Sequence, residues 1–394
     1  MSLRWLLAVT LTLFALVHAL PPDKRDTNPE LQPPQEDAPI FLGLISRLKS
    51  KTAKFRPPWK YDYDPSAGEG SIIWLIDSGF DTNTPEYKSW SPEPRWIIVK
   101  KYLPDDTLNK DDPDGHGTCS GSLISSPKYG VSKKASLVIV KAPIVSAPEI
   151  TRHHVSHLKA TLWAVVDDLK SVLRYRPDLK GKLFVNFSAG MSTEEAENVS
   201  KRDMSSIKKA FEEIDSMAMI YTTTGNRNPK QRRRDKREGT HSPFSSETMY
   251  LERWRDDLPH TTFVASADIN GRRSAVSIPP SPGTRHLWAV AQDIKCAPLS
   301  GQKSSDHTSG TSLAAPQAVG LAAYAVGLPH KPFSLPDPQE NFDGYVAELQ
   351  DVLESSSWKL PPSMWMNKNQ PEVPVISNRF CEGVDGESSG KCGC

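Results

Sequence analysis

At 394 residues, with 37% hydrophobic and 24% charged residues, the chain is long enough for one large domain or two ordinary ones and has the make-up of a globular protein. Its 48 Lys and Arg nearly cancel its 47 Asp and Glu, and the formal charge of +1 gives no electrostatic case for a nucleic-acid partner.

Residues 1–19 hold one early cation, Arg4, an apolar run from Leu6 to Val17, and the small-x-small triplet Val17-His18-Ala19. That pattern predicts a secretory signal peptide cut after Ala19, and hence an extracellular protein. The run is short for a bilayer span and no later one reaches its length, so no membrane anchor is expected. Residues 20–60 follow as a Pro-rich, polar pro-segment or linker, with the dibasic pair Lys24-Arg25 as a processing site or simply two solvated cations.

From residue 61 to about 330 the pattern is that of one domain. Short apolar runs rich in β-branched residues recur at 71–76 (SIIWLI), 96–99 (WIIV), 137–140 (LVIV), 183–187 (LFVNF), 219–222 (MIYT) and 262–265 (TFVA). Runs without alternation suit strands buried on both faces. Between some of them lie helical periods: Val155, Leu158, Leu162, Val165, Val166, Leu169 on one face, and Ile207, Ala210, Phe211, Ile214 on another. This alternation predicts a three-layer α/β/α fold around a mostly parallel sheet. Residues 227–257, with QRRRDKREG at their centre, read as a basic surface insertion holding a second dibasic pair, Lys236-Arg237. Residues 331–394 read as an extension with one helix, around Phe342, Val346, Leu349 and Leu353, and a loose Cys-bearing tail.

The five cysteines are Cys119, Cys296, Cys381, Cys392 and Cys394. Secretion permits disulfides, and the odd count leaves one thiol over. The tail cysteines lack paired C-x-x-C arms, so disulfides are expected there rather than zinc. Cys119 is expected to be a buried free thiol.

In open α/β sheets, functional groups gather at the carboxyl ends of strands. Asp77 follows SIIWLI, His116 sits between glycines in DPDGHGTCSGSLI, Asn226 ends TGN after MIYTT, and Ser312 lies in SGTSLAAP ahead of an apolar helix. Each has a plain structural reading: a turn or cap for Asp77, a satisfied loop histidine for His116, a left-handed turn for Asn226, a helix N-cap for Ser312. Together they form a nucleophile, a base, a carboxylate to orient the base, and an amide donor for an oxyanion.

With D-S-G at Asp77, H-G-T at His116, T-G-N at Asn226 and G-T-S-x-A-x-P at Ser312, the sequence resembles the subtilisin-like serine proteases (subtilases) over roughly residues 70–328. The chain order Asp, His, Ser is also that family's. The resemblance implies an endopeptidase acting on protein or peptide substrates, as a monomer. Ser312 would be the nucleophile, His116 the general base, Asp77 its orienting partner and Asn226 the oxyanion donor. FVNFSAG resembles the family's substrate-binding strand, which would place Ser188, Ala189 and Gly190 at the primary pocket. Calcium sites occur in the family, but no ligands can be placed, so no cofactor and no metal site are expected. His153 and His157, an i, i+4 pair, are expected to be ordinary surface or core histidines.

Two departures stand out. The segment ahead of the first catalytic strand is short for an independently folding inhibitory prodomain, and Leu313 follows the serine where methionine is usual. The rival reading is therefore a catalytically silent or latent secreted protein that keeps the fold for binding. An ester hydrolase would need a G-x-S-x-G elbow ahead of its Asp and His, and the Ser-last order argues against it. Asn198-Val199-Ser200 is the expected glycosylation sequon. Asn186-Phe187-Ser188 also matches but falls in an expected buried strand.

Overall fold

Among the described residues, seven strands form a single sheet: β1 (Ile72–Asp77), β2 (Arg95–Ile97), β3 (Ser136–Lys141), β4 (Leu183–Phe187), β5 (Met219–Thr223), β6 (Thr261–Ala267) and β7 (His286–Val290). Their spatial order is β2-β3-β1-β4-β5-β6-β7, and every neighbouring pair is parallel. This computed structural model describes residues 34–46, 58–99, 111–113, 115–142, 151–189, 196–227, 250–302, 307–359 and 373–379. All of these lie within the unit Pro33–Cys394.

Side-chain alternation along the strands splits the core between the two faces of the sheet. Ile73, Leu75, Leu137, Ile139, Phe184, Tyr221 and Val264 pack on one face with helices α1 (Ile40–Ile45), α3 (His116–Ser125), α6 (Ala314–Gly327) and α7 (Phe342–Ser356). Trp74, Ile76, Val138, Val185, Phe187 and Ile220 pack on the other with α4 (Arg152–Tyr175) and α5 (Lys201–Asp215). A one-turn helix, α2 (Pro85–Lys88), lies between β1 and β2. The expected three-layer α/β/α arrangement is thus present.

β1 is the centre of the design. The chain lays β2 and β3 on one side of it, then returns to lay β4 to β7 on the other. That reversal makes the carboxyl end of β1 the topological switch point, where open α/β sheets leave a crevice.

Strand β7 was not among the six expected runs. Its signal, HLWAV, is present, but it follows β6 with no helix between them, so a strand–helix rhythm passes over it.

Other expectations need correction. The stretch 20–60 is not a solvated linker in its described part: Phe41, Leu42, Leu44 and Ile45 of α1 are at most 2% exposed. Four buried apolar side chains in six residues make α1 core, each worth about 1.5–3 kcal/mol of burial. The basic insertion does not extend to 257 as surface loop either. Tyr250–Asp257 is a 3₁₀ helix with buried Leu251 and Glu252, and Trp254 lies against Phe211. Nor is the tail loose throughout, for Val375, Ile376 and Ser377 are fully buried. Residues 1–33, with the signal peptide and Lys24-Arg25, and residues 228–249, with Lys236-Arg237, lie outside the described residues, as do Cys381, Cys392 and Cys394.

Candidate active site

Asp77 is the last residue of β1 and is wholly buried. Beyond it the chain turns through Gly79, whose φ of 138° suits glycine alone. His116 opens α3, entered through Gly115 in the left-handed region at φ 80°. The next residue, Gly117, lies so close to the Gly79 backbone that a Cβ there would fall 2.2 Å from Gly79 O. Two glycines therefore let the end of β1 and the start of α3 touch. Across this contact His116 Nδ1 is 2.8 Å from Asp77 Oδ1. A carboxylate only accepts, so Nδ1 carries the proton and Nε2 of a neutral ring is left with its lone pair. Asp77 Oδ1 also accepts from Ser78 N at 2.8 Å, while Asp77 O accepts from Ala142 N at 2.6 Å.

Ser312 sits in a single 3₁₀ turn, Thr311–Leu313, directly ahead of α6. Its side chain caps neither element, which excludes the N-cap reading. The hydroxyl makes no hydrogen bond among the described residues, to His116 included, and the residue is partly exposed. The turn is anchored from behind: Gln317 Nε2 donates to both Leu313 O and Val290 O at 2.9 Å, tying α6 to the end of β7. α3 packs against this turn and against α6.

Asn226 follows β5 after Gly225, which has φ 97°. Its Oδ1 accepts from Thr311 N at 2.9 Å and from Thr311 Oγ1 at 3.0 Å, so Nδ2 is turned away from Thr311. A Cβ placed on Gly310 would lie 3.1 Å from Ser312 Oγ and 3.4 Å from Asn226 Nδ2, so both groups border the same small space. Thr223 Oγ1 donates to Thr311 Oγ1 and accepts from Gly225 N at 3.1 Å. Thr223 and Thr311, both buried, thus set the orientation of the amide. Sequence reasoning missed them, and the only signal for Thr223 was the run Thr222–Thr224 at the end of β5.

Ser188 and Ala189 leave the end of β4 on the same edge of the sheet, and Ser188 Oγ accepts from Asn186 Nδ2 at 2.7 Å. Gly190 lies outside the described residues. Between the N-terminal turns of α4 and α5 is a cavity of about 600 Å³, lined by Thr151, Val155, Ser156, Asn198, Val199 and others. Asn198 is exposed at its rim, whereas Asn186 is fully buried in β4.

Cys119 is not a free thiol. One turn into α3 from His116, it is bonded to Cys296, which precedes the Ser312 turn, with Cα atoms 5.0 Å apart. The two cysteines are 177 residues apart in the chain, a separation at which spacing carries no pairing signal. Among the described residues no cluster of three His, Cys, Asp or Glu side chains is placed to hold a metal ion. His157 is buried on α4, and that burial, with some repulsion from His153 and His154, pushes it down to about 4 despite a backbone contact at Val99. No helix among the described residues is long and apolar enough to cross a membrane.

Residues 68–368 match the model of the subtilase family. The chain belongs to that family. The match runs beyond residue 330, so α7 falls within the subtilase domain. Subtilisin-like protease 6 of Arthroderma benhamiae is 28% identical over 268 residues, 68% of this chain and 54% of that one. Proteinase R of Parengyodontium album is 27% identical over 305 residues, 77% of this chain and 64% of that one. Alkaline protease 1 of Aspergillus oryzae is 27% identical over 320 residues, 81% and 63%. The chain therefore spans between about half and two thirds of these curated relatives. Among solved structures, a cold-adapted subtilisin-like serine proteinase superposes with TM-score 0.54 at 19% identity, over 87% of this subtilase and 98% of that chain, which bears on the fold alone.

Proposed function

We propose that this subtilase is a secreted serine endopeptidase. Ser312 Oγ attacks the scissile carbonyl while His116 Nε2 takes its proton. Asp77 holds the ring in the Nδ1–H form and stabilises the imidazolium as it appears. The tetrahedral oxyanion is received by Asn226 Nδ2 and the Ser312 backbone N–H. His116 then returns the proton to the leaving amine, and a water repeats the sequence to free the acyl group from Ser312. Ser188, Ala189 and Gly190 would receive the side chain before the cut bond, and the cavity between α4 and α5 offers room for another. The disulfide suits the oxidising setting that the leader sequence implies. Asn198, exposed on a turn, is the glycosylation site on this reading.

The observation that carries the proposal is the wholly buried Asp77 bonded to His116 Nδ1, with Ser312 freed from any capping role. Active-site labelling with a fluorophosphonate tests it. Label on the wild type that disappears in Ser312→Ala is the expected result. A folded protein with its disulfide intact that takes no label, before or after cleavage at Lys24-Arg25, would instead be a binding protein on a protease fold.

A further inference from the structure

A second carboxylate lies behind the Asp77–His116 pair. Asp112 is 2% exposed. Its Oδ1 accepts from Ser78 Oγ at 2.7 Å, and its Oδ2 accepts from Thr118 N and Thr118 Oγ1, both at 2.6 Å. Ser78 directly follows Asp77, and Thr118 is two residues beyond His116. Ser78 Oγ in turn accepts from Gly117 N at 2.9 Å, and Thr118 Oγ1 accepts from Asp81 N at 2.9 Å. The loop holding Asp112 is itself anchored, since Lys141 Nζ donates to Asp111 O at 2.6 Å.

Among the described residues, the single hydroxyl proton of Ser78 has two carboxylates within reach. Asp112 Oδ1 is 2.7 Å away and Asp77 Oδ1 is 3.3 Å away, so the proton goes to Asp112. This matters because Asp77 Oδ1 already accepts from Ser78 N and from His116 Nδ1, and Asp77 Oδ2 is buried with no hydrogen-bond partner among the described residues. Each further donor on Oδ1 competes with the imidazole for the same lone pairs. By taking the Ser78 proton, Asp112 leaves Asp77 to act on His116.

We infer that Asp112 is a positioning residue for His116: it fastens the end of β1 to the first turn of α3 and keeps the Ser78 hydroxyl from competing for Asp77. The inference rests on the endopeptidase reading for its kinetic consequence, not for its geometry. Nothing in the Asp, His, Ser, Asn constellation requires this carboxylate.

Asp112→Asn is the discriminating change. An asparagine keeps the size and one acceptor oxygen for Thr118, but its amide donates to Ser78 Oγ and turns the Ser78 proton onto Asp77. On a peptide substrate, kcat is expected to fall about a hundredfold with KM within about twofold, the scale of a small misplacement of reacting groups. The downfield proton resonance of His116 Nδ1 is expected to shift. Ser78→Ala combined with Asp112→Asn should be no slower than Ser78→Ala alone, because the hydroxyl is the route of the effect. Wild-type kcat in Asp112→Asn, a loss confined to KM, or losses that multiply in the double variant would each overturn the inference. If Asp112→Asn does not fold, Ser78→Ala alone must still disturb the resonance and leave KM unchanged, or the inference fails. If the wild type takes no fluorophosphonate, it is the enzyme reading that fails. The resonance still decides this one, and identical spectra for the wild type and Asp112→Asn refute it.

Discussion

The amide of Asn226 is aimed by its neighbours, since Thr311 occupies its oxygen through both a backbone N–H and a hydroxyl. On the endopeptidase reading, Asn226→Ala should lower kcat about 100- to 1,000-fold, the usual cost of one oxyanion donor, and leave KM little changed. Thr311→Val removes only the hydroxyl, worth about one hydrogen bond, so kcat should fall about tenfold. Steady-state kinetics on a peptide amide check both, and wild-type turnover in Thr311→Val would show that the amide needs no aiming by the hydroxyl. Asp77 and Asn226 stood out as candidates because each comes shortly after an apolar run, His116 because it sits between glycines, and Ser312 because it stands directly ahead of an apolar helix. Thr223, Thr311, Ser78 and Asp112 did not. A threonine or an aspartate in a loop is the commonest of turn residues, and only the tertiary pairing of β5 with the Ser312 turn, or of β1 with α3, gives these a task.

Two buried histidines couple helix packing to pH in opposite directions. His260, ahead of β6, faces Asp215 O at 2.7 Å through Nδ1 and Asp343 Oδ1 at 2.7 Å through Nε2, so both nitrogens donate and the ring is an imidazolium pinning α7 to the sheet. Burial pulls its pKa down, but hydrogen bonds and charge from Asp215, with Asp343, outweigh this and raise it. Lys180, stacked over Phe342, is the facing cation, and burial lowers it to about 8. A raised folded pKa means that the stabilisation is complete below the unfolded value of about 6.5 and is lost as pH rises through the folded one. The stability gap between the wild type and His260→Asn in urea should therefore narrow from pH 6 to pH 9, and a constant gap would refute the charged clamp. His157, pushed down to about 4, has the reverse sign: its contribution is complete above about 6.5 and drains away as pH falls toward 4. At this scale, six of the seven strands were readable as unbroken apolar runs and the long helices α4 and α5 from their periodicity, while β7 was passed over. α1 was not readable either, because six residues among prolines are too few to show a period.

Across the molecule, the two ends of the described chain fasten each other. Trp358 Nε1 donates to Leu44 O, Asn378 N to Ile45 O, and Arg379 bonds both Ser46 O and Asp62 Oδ2 at 2.7 Å. Arg379→Ala should cost about 2 kcal/mol, as for hydrogen bonds to charged groups, and lower the melting temperature without changing the kinetics. The layer order and parallel sheet followed from the strand–helix rhythm. This mutual fastening did not, since it joins residues more than 300 apart, Trp358 to Leu44 being 314. Removing the Cys119–Cys296 link should cost roughly 2–5 kcal/mol, as expected for so long a closed loop. The same link has an electrophoretic signature. The polar stretch with Lys236-Arg237 lies between the two cysteines in the chain, so a protease nick there separates the Asp77–His116 half from the Ser312 half in sequence but not in covalent connection. Nicked molecules should run as one band without reductant and as two fragments with it, and they should still take the fluorophosphonate label on the fragment that begins after the nick.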